Sequence, residues 1–111
     1  MTLYVENLLR DLPPAAEDEL VTRLARGGAF RLERIVSWGQ VTPEGVWYDQ
    51  DQDEWVLLLS GAADLLIEGE AMPRRLRSGD FLLLPAHRRH RVEWTDKEAA
   101  TVWLALHFSA A

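Results

Sequence analysis

Cysteine is absent from the 111 residues. That excludes disulfides, thiolate metal sites and a cysteine nucleophile, and with them a small secreted fold held by crosslinks. Histidine is nearly as scarce, since His87, His90 and His107 are the whole supply of side chains that ordinarily titrate near neutrality. No apolar run approaches the roughly 20 residues of a membrane-spanning helix. The opening Met1-Thr-Leu-Tyr-Val-Glu-Asn7 lacks the basic and apolar regions of a secretory leader, so a cytoplasmic protein with no membrane partner is expected. A phosphate-cradling glycine loop, a nucleophile elbow and a dinucleotide fingerprint are also missing. Asp49, Asp51 and Asp53 alternate like the start of an EF-hand loop. Its sixth position, however, is Glu54 where glycine is required, and its twelfth is Ser60 where glutamate is required, which removes that calcium site.

What is present is an ordinary globular composition, 48% apolar and 27% charged, of a length that closes one core. Eighteen acidic against twelve basic side chains give a net charge of −6, which opposes binding to nucleic acid. The charge is unevenly spread. Asp49, Asp51, Asp53 and Glu54 crowd one segment, while Arg74, Arg75, Arg77, Arg88, Arg89 and Arg91 crowd two later ones. Solvated faces are the simpler account of both runs, with an anion-binding rim or a subunit contact as the alternative.

Residues 1–28 read differently from the rest and form an N-terminal extension ahead of a domain spanning 29–111. Pro13-Pro14 separates two segments, and Leu20, Val21 and Leu24 have helical spacing after the acidic Glu17-Asp18-Glu19. A short α-helix over 15–26, ended by Gly27-Gly28, is expected. From Ala29 onward the pattern is all-β. Strands are expected near 30–37, 40–48, 54–60, 62–68, 72–77, 80–84, 90–95 and 100–108, separated by turn residues, a spacing that gives a sandwich or a closed barrel.

Two segments carry a more specific pattern. Gly45 is followed by Tyr48, Gln50 and Glu54, and after Glu54 come six residues and then Gly61; Gly79 is followed by five residues, Pro85, and then His90. In this spacing the chain resembles the cupin superfamily, whose motifs are G(X)5HXH(X)3–4E(X)6G and G(X)5PXG(X)2H(X)3N. Gly45, Glu54, Gly61, Gly79, Pro85 and His90 occupy matching positions, over roughly residues 30–108. The resemblance implies a jelly-roll barrel, the double-stranded β-helix, of the small single-domain bacterial kind, paired as a homodimer because edge strands need cover.

Three departures bear on chemistry. Cupins that hold iron, manganese, nickel or zinc use two first-motif histidines, yet here a three-residue gap before Glu54 puts Tyr48 and Gln50 in those places, and a four-residue gap puts Trp47 and Asp49 there. The small glycine of PXG is His87, and the terminal asparagine is Trp94. The resemblance therefore implies a cavity shared by Glu54 and His90, with Gln50 and His87 as further ligands if a divalent ion (zinc, iron or manganese) is bound. The expected function is binding of a small molecule in the barrel. The alternatives are a metal-dependent enzyme of oxygenase or isomerase type, and a metal-free acid/base enzyme using His90, Glu54 and Tyr48. His107 shares strand parity with Trp103 and Ala105, which favours a core or interface role over a pocket one. The tryptophans at 38, 47, 55, 94 and 103 offer a pocket wall, although packing usually claims most such side chains.

Overall fold

Burial alternates residue by residue over 53–59, 62–67 and 103–108, and a computed structural model, describing residues 1–109, has eight strands. They are β1 (Leu20–Arg26), β2 (Phe30–Ser37), β3 (Asp53–Ser60), β4 (Ala62–Ile67), β5 (Arg74–Arg77), β6 (Phe81–Leu84), β7 (His90–Thr95) and β8 (Thr101–Phe108). One sheet runs β1-β2-β8-β3-β6 and the other β5-β4-β7, every pair antiparallel. Their facing sides meet in a core that includes Val56, Leu58, Leu65, Ile67, Leu84 and Trp103. None of the described residues forms a helix long and apolar enough to cross a membrane.

The expected N-terminal helix is not formed, and no described residue is helical. Leu20–Arg26 instead pairs with β2 from Leu20 opposite Val36 to Arg26 opposite Arg31. The reason is tertiary. The free edge of β2 offers a row of backbone partners, whereas a helix here would have needed an apolar surface to cover Leu20, Val21 and Leu24, and all three remain substantially exposed. Gly27-Gly28 is thus a hairpin turn, closed by a bond from Gly27 N–H to Phe30 C=O of 2.9 Å, and not a helix cap.

Residues 40–48 also differ from expectation. No strand forms there; Tyr48 makes an isolated antiparallel bridge with His90, and Thr42 is tied to Val92 through both its N–H and its hydroxyl. Pro43 and Gly45 interrupt the segment, so it runs as a loop along β7.

The outer face of the five-stranded sheet is largely apolar over β8, β3 and β6, while toward β1 the row of Leu104 continues into Arg34 and Thr22. Leu32, Leu106, Trp55 and Leu83 stand in register across β2, β8, β3 and β6, and beside them Leu104, Leu57 and Phe81 form a second row. The continuously apolar runs in β3 and β6 are explained by this: one set of side chains faces the core and the other faces outward, with Phe81 63% and Leu83 55% exposed.

Candidate functional site

Between the two sheets lies a cavity of about 760 Å³ that opens at one end of the barrel. Its inner wall is apolar, from Ile35, Val56, Leu65, Leu84, Val92 and Trp103. On this wall stands one polar group of side chains from four strands, and its centre is Glu54 on β3, buried to 8% exposure.

His90 opens β7 on the opposite sheet. Its backbone exchanges bonds with Tyr48, 2.8 Å and 3.2 Å, and the two rings lie 5.6 Å apart. Its Nδ1–H donates to the Arg88 carbonyl at 3.0 Å, which directs Nε2 into the cavity, 3.4 Å from Glu54 Oε1. Burial, the largest influence, favours the neutral ring; the Glu54 carboxylate and the Arg88 carbonyl together outweigh it, so the imidazole is held above its ordinary range.

His107, on β8, faces the same carboxylate. Its Nδ1–H donates to Gln50 Oε1 at 3.0 Å, leaving Nε2 at 3.8 Å from Glu54 Oε2 and 3.6 Å from Glu33 Oε1. Here burial prevails and, with Arg31 and His90 nearby, pushes the ring below its ordinary value despite Glu54 and Glu33. Parity rightly puts His107 with Trp103, and that face is the cavity wall. Glu33, on β2 between Arg31 and Ile35, is a second member that sequence reading passed over. Its shared parity with Ile35 was the available signal.

Of the residues expected at the site, Tyr48, Gln50, Glu54 and His90 all line the cavity. His87 does not come with them. Its side chain is 65% exposed, with Nδ1 at 2.8 Å from Asp49 and Nε2 at 3.6 Å from Asp51. The backbone explains this, because His87 has φ of +64°, a left-handed conformation that turns the loop outward.

A divalent ion needs several donors directed at one point. The described residues include no group of three or more His, Asp or Glu side chains so arranged. Gln50 Oε1 already accepts from His107, and His87 is turned away, so the expected four-residue set does not fit an ion as it stands. Glu54 Oε1 is buried with only the long 3.4 Å contact to His90 Nε2, and it lines a space large enough for an organic ligand.

The other tryptophans are mostly outside. Trp38 and Trp103 line the cavity, while Trp55 packs on Phe81 and Trp94 lies under the Arg75 guanidinium at 4.4 Å. Trp47 lies under Arg89 and Arg91, at 5.6 and 5.8 Å. Most arginines of the two basic segments also have carboxylate partners: Arg74 with Glu70, Arg75 with Asp64, Arg89 with Glu68 and Arg91 with Glu93.

Comparison with known proteins agrees with this architecture. The family profile of the Cupin domain matches residues 39–107. The chain belongs to the cupin family. A cupin jelly roll accounts for the two facing sheets, and solved structures share it. A protein of Ralstonia eutropha JMP134 with the provisional name mannose-6-phosphate isomerase is 48% identical with a TM-score of 0.94, over 97% of this chain and 100% of that one. A cupin superfamily protein of Desulfitobacterium hafniense DCB-2 is 18% identical, TM-score 0.73, over 89% and 84%. An RmlC-like cupin with a double-stranded β-helix fold, from Methanocaldococcus jannaschii, is 16% identical, TM-score 0.71, over 98% and 93%. The latter two establish the shared cupin fold alone. No curated protein matches the chain significantly. Within this cupin the motif glycines have a visible purpose, since Gly61 and Gly79 have φ of +98° and +93°. His87 occupies the glycine position of the second motif.

Proposed function

We propose that this cupin binds a small organic molecule inside the barrel, with the ligand's polar end at Glu54, His90 and His107 and its apolar body against Trp103 and Val56. The observation that carries the reading is a cavity of about 760 Å³ whose apolar wall ends at a buried carboxylate oxygen with no hydrogen bond of good geometry, its nearest donor being His90 Nε2 at 3.4 Å. Such a volume falls in the range of ligand sites, and a few convergent polar groups on an apolar wall are their usual chemistry. Thermal-shift and calorimetric screening of a chemically mixed panel tests it. Val56→Phe, which fills the cavity, should abolish binding of every hit. Binding that survives the substitution would place the ligand elsewhere.

A second reading is supported by the tethering of His90. With Nδ1–H fixed on Arg88 C=O, Nε2 is the one ring nitrogen free to take a proton from a bound molecule or return it, and the Glu54 carboxylate beside it stabilises the imidazolium so formed. Turnover lost in His90→Gln while affinity is kept would distinguish this acid/base chemistry from simple binding.

A phosphorylated hexose, suggested by the name of the Ralstonia protein, suits the cavity less well. Five carboxylates line it, and the one guanidinium there, Arg31, lies 3.5 Å from Glu33 and 3.2 Å from Gln52. A phosphate dianion would meet mainly like charge. A divalent ion would require Gln50 and His87 to rearrange. Metal analysis of protein purified without a nickel column should find substoichiometric metal; a full equivalent that Glu54→Gln removes would show that such rearrangement occurs.

A further inference from the structure

The binding reading leaves the chemical class of the ligand open, and the charge around the cavity narrows it. Glu17, Asp18, Glu19, Glu33 and Glu54 all line the space, against Arg31 alone among lysines and arginines. Arg31 is already engaged by Glu33 and Gln52. Protonation of His90 would still leave carboxylates in excess.

Three of these acids arrive on a strap. Residues 13–19 cross the mouth before β1 begins, held by Trp38 Nε1–H donating to Pro13 C=O at 3.2 Å and by Gln40 Nε2–H donating to Ala16 C=O at 2.7 Å. Ser37 Oγ–H fixes Glu19 Oε2 at 3.1 Å. Among the described residues neither Glu17, Asp18 nor Glu19 forms an ion pair, although burial, opposed by the Ser37 bond, pushes the Glu19 carboxyl up. Burial, followed by the Glu19 carboxylate and then that of Glu54, pushes the Tyr48 hydroxyl up, a local sign of the same field.

Acidity at the mouth is accompanied by an independent feature on the cavity wall. Glu54, 8% exposed, presents an Oε1 atom with no hydrogen bond of good geometry, its nearest donor being His90 Nε2 at 3.4 Å. A buried carboxylate oxygen held only by so long a contact is under-satisfied. A ligand bearing N–H donors and a positive charge would satisfy it. Trp38, Tyr48 and Trp103 add aromatic surface along the path, which is favourable to cations as well as to apolar groups.

Resting on the small-molecule reading above, we infer that the cavity selects organic cations, amines with an apolar or aromatic body, and discriminates against carboxylates and phosphate esters of the same shape. Glu54 Oε1 receives the ammonium, and the strap acids steer it in.

The test uses matched series on several frameworks, indolyl, phenyl and hexosyl, each as amine, alcohol and carboxylate, measured by calorimetry on the full chain. Within a series the amine should bind about tenfold more tightly than the carboxylate, a preference that added salt weakens. Glu54→Gln should erase most of the preference. A second variant, Glu17→Gln/Asp18→Asn, changes exposed positions and should slow amine association. Carboxylates binding as well as or better than amines would overturn the charge inference and leave the binding reading standing. If no member of any series binds, both fall together.

Discussion

His107 is bound to Gln50 through Nδ1, 3.0 Å from the amide oxygen, and this single contact decides which nitrogen faces Glu54. Gln50 lies where the metal-binding cupin pattern implies a histidine, so here that position serves to orient an imidazole from another strand.

The two cavity histidines should drive stability in opposite directions with pH. The folded value of His90 is raised above 6.5, so its contribution is fully present below that pH and is lost as pH rises through the folded value. The folded value of His107 is lowered from 6.5, so a penalty grows as pH falls below the unfolded value toward the folded one. In thermal melts between about pH 7.5 and about pH 5.5, His107→Gln should gain stability relative to wild type on the acid side, and His90→Gln should lose it there. Parallel profiles for the two variants would refute the assignment.

His87 should matter to the backbone rather than to the ligand. With φ of +64° it carries the strain of a non-glycine residue in left-handed conformation. His87→Gly should be more stable than His87→Ala by about 1 kcal/mol in urea unfolding, and both should bind ligand like the wild type. An affinity loss common to both would return His87 to the site.

Gly61 closes the turn between β3 and β4 at φ +98°, where an added Cβ would stand 2.7 Å from Thr101 Cα and 2.8 Å from the Ala100 carbonyl oxygen. Gly61→Ala should cost about 2–4 kcal/mol, since conformational strain and a backbone clash act together. Equilibrium unfolding measures it, and a change below about 1 kcal/mol would mean that the turn yields easily.

The apolar rows on the outer sheet face bear on the homodimer expected from the sequence. Contiguous apolar patches of this kind are uncommon on monomers, and a two-fold axis parallel to the sheet and just outside it would set the patch against its own copy. Analytical ultracentrifugation should give twice the chain mass, and Phe81→Lys/Leu83→Lys should give a folded monomer. A wild-type monomer at high concentration would end this expectation.

Much of this was legible in the chain itself, for physical reasons. Gly61, Gly79 and Pro85 mark turns whose geometry few other residues tolerate, so their spacing indicated the barrel and, through it, the meeting of Glu54 with His90. His107 was harder, because parity assigns a face without saying whether that face meets hydrocarbon or an open space. His87 misled for the converse reason: a residue type that binds ions occupies a position selected for backbone shape. β1 was misread because Leu20, Val21 and Leu24 fit helical spacing, while the partner that makes them a strand, the edge of β2, exists only in three dimensions.

Glu54 belongs to the five-stranded sheet and His90 to the three-stranded one, so the 3.4 Å between them is also a gauge of how closely the two halves of the barrel approach. Whatever spreads or tightens those halves, whether a guest molecule, a neighbouring subunit or a remote substitution in the core, must change the strength of that pair and the proton affinity of its imidazole. The protein thus has, at its centre, a titrating group whose resonance could report on the mechanical state of the whole shell.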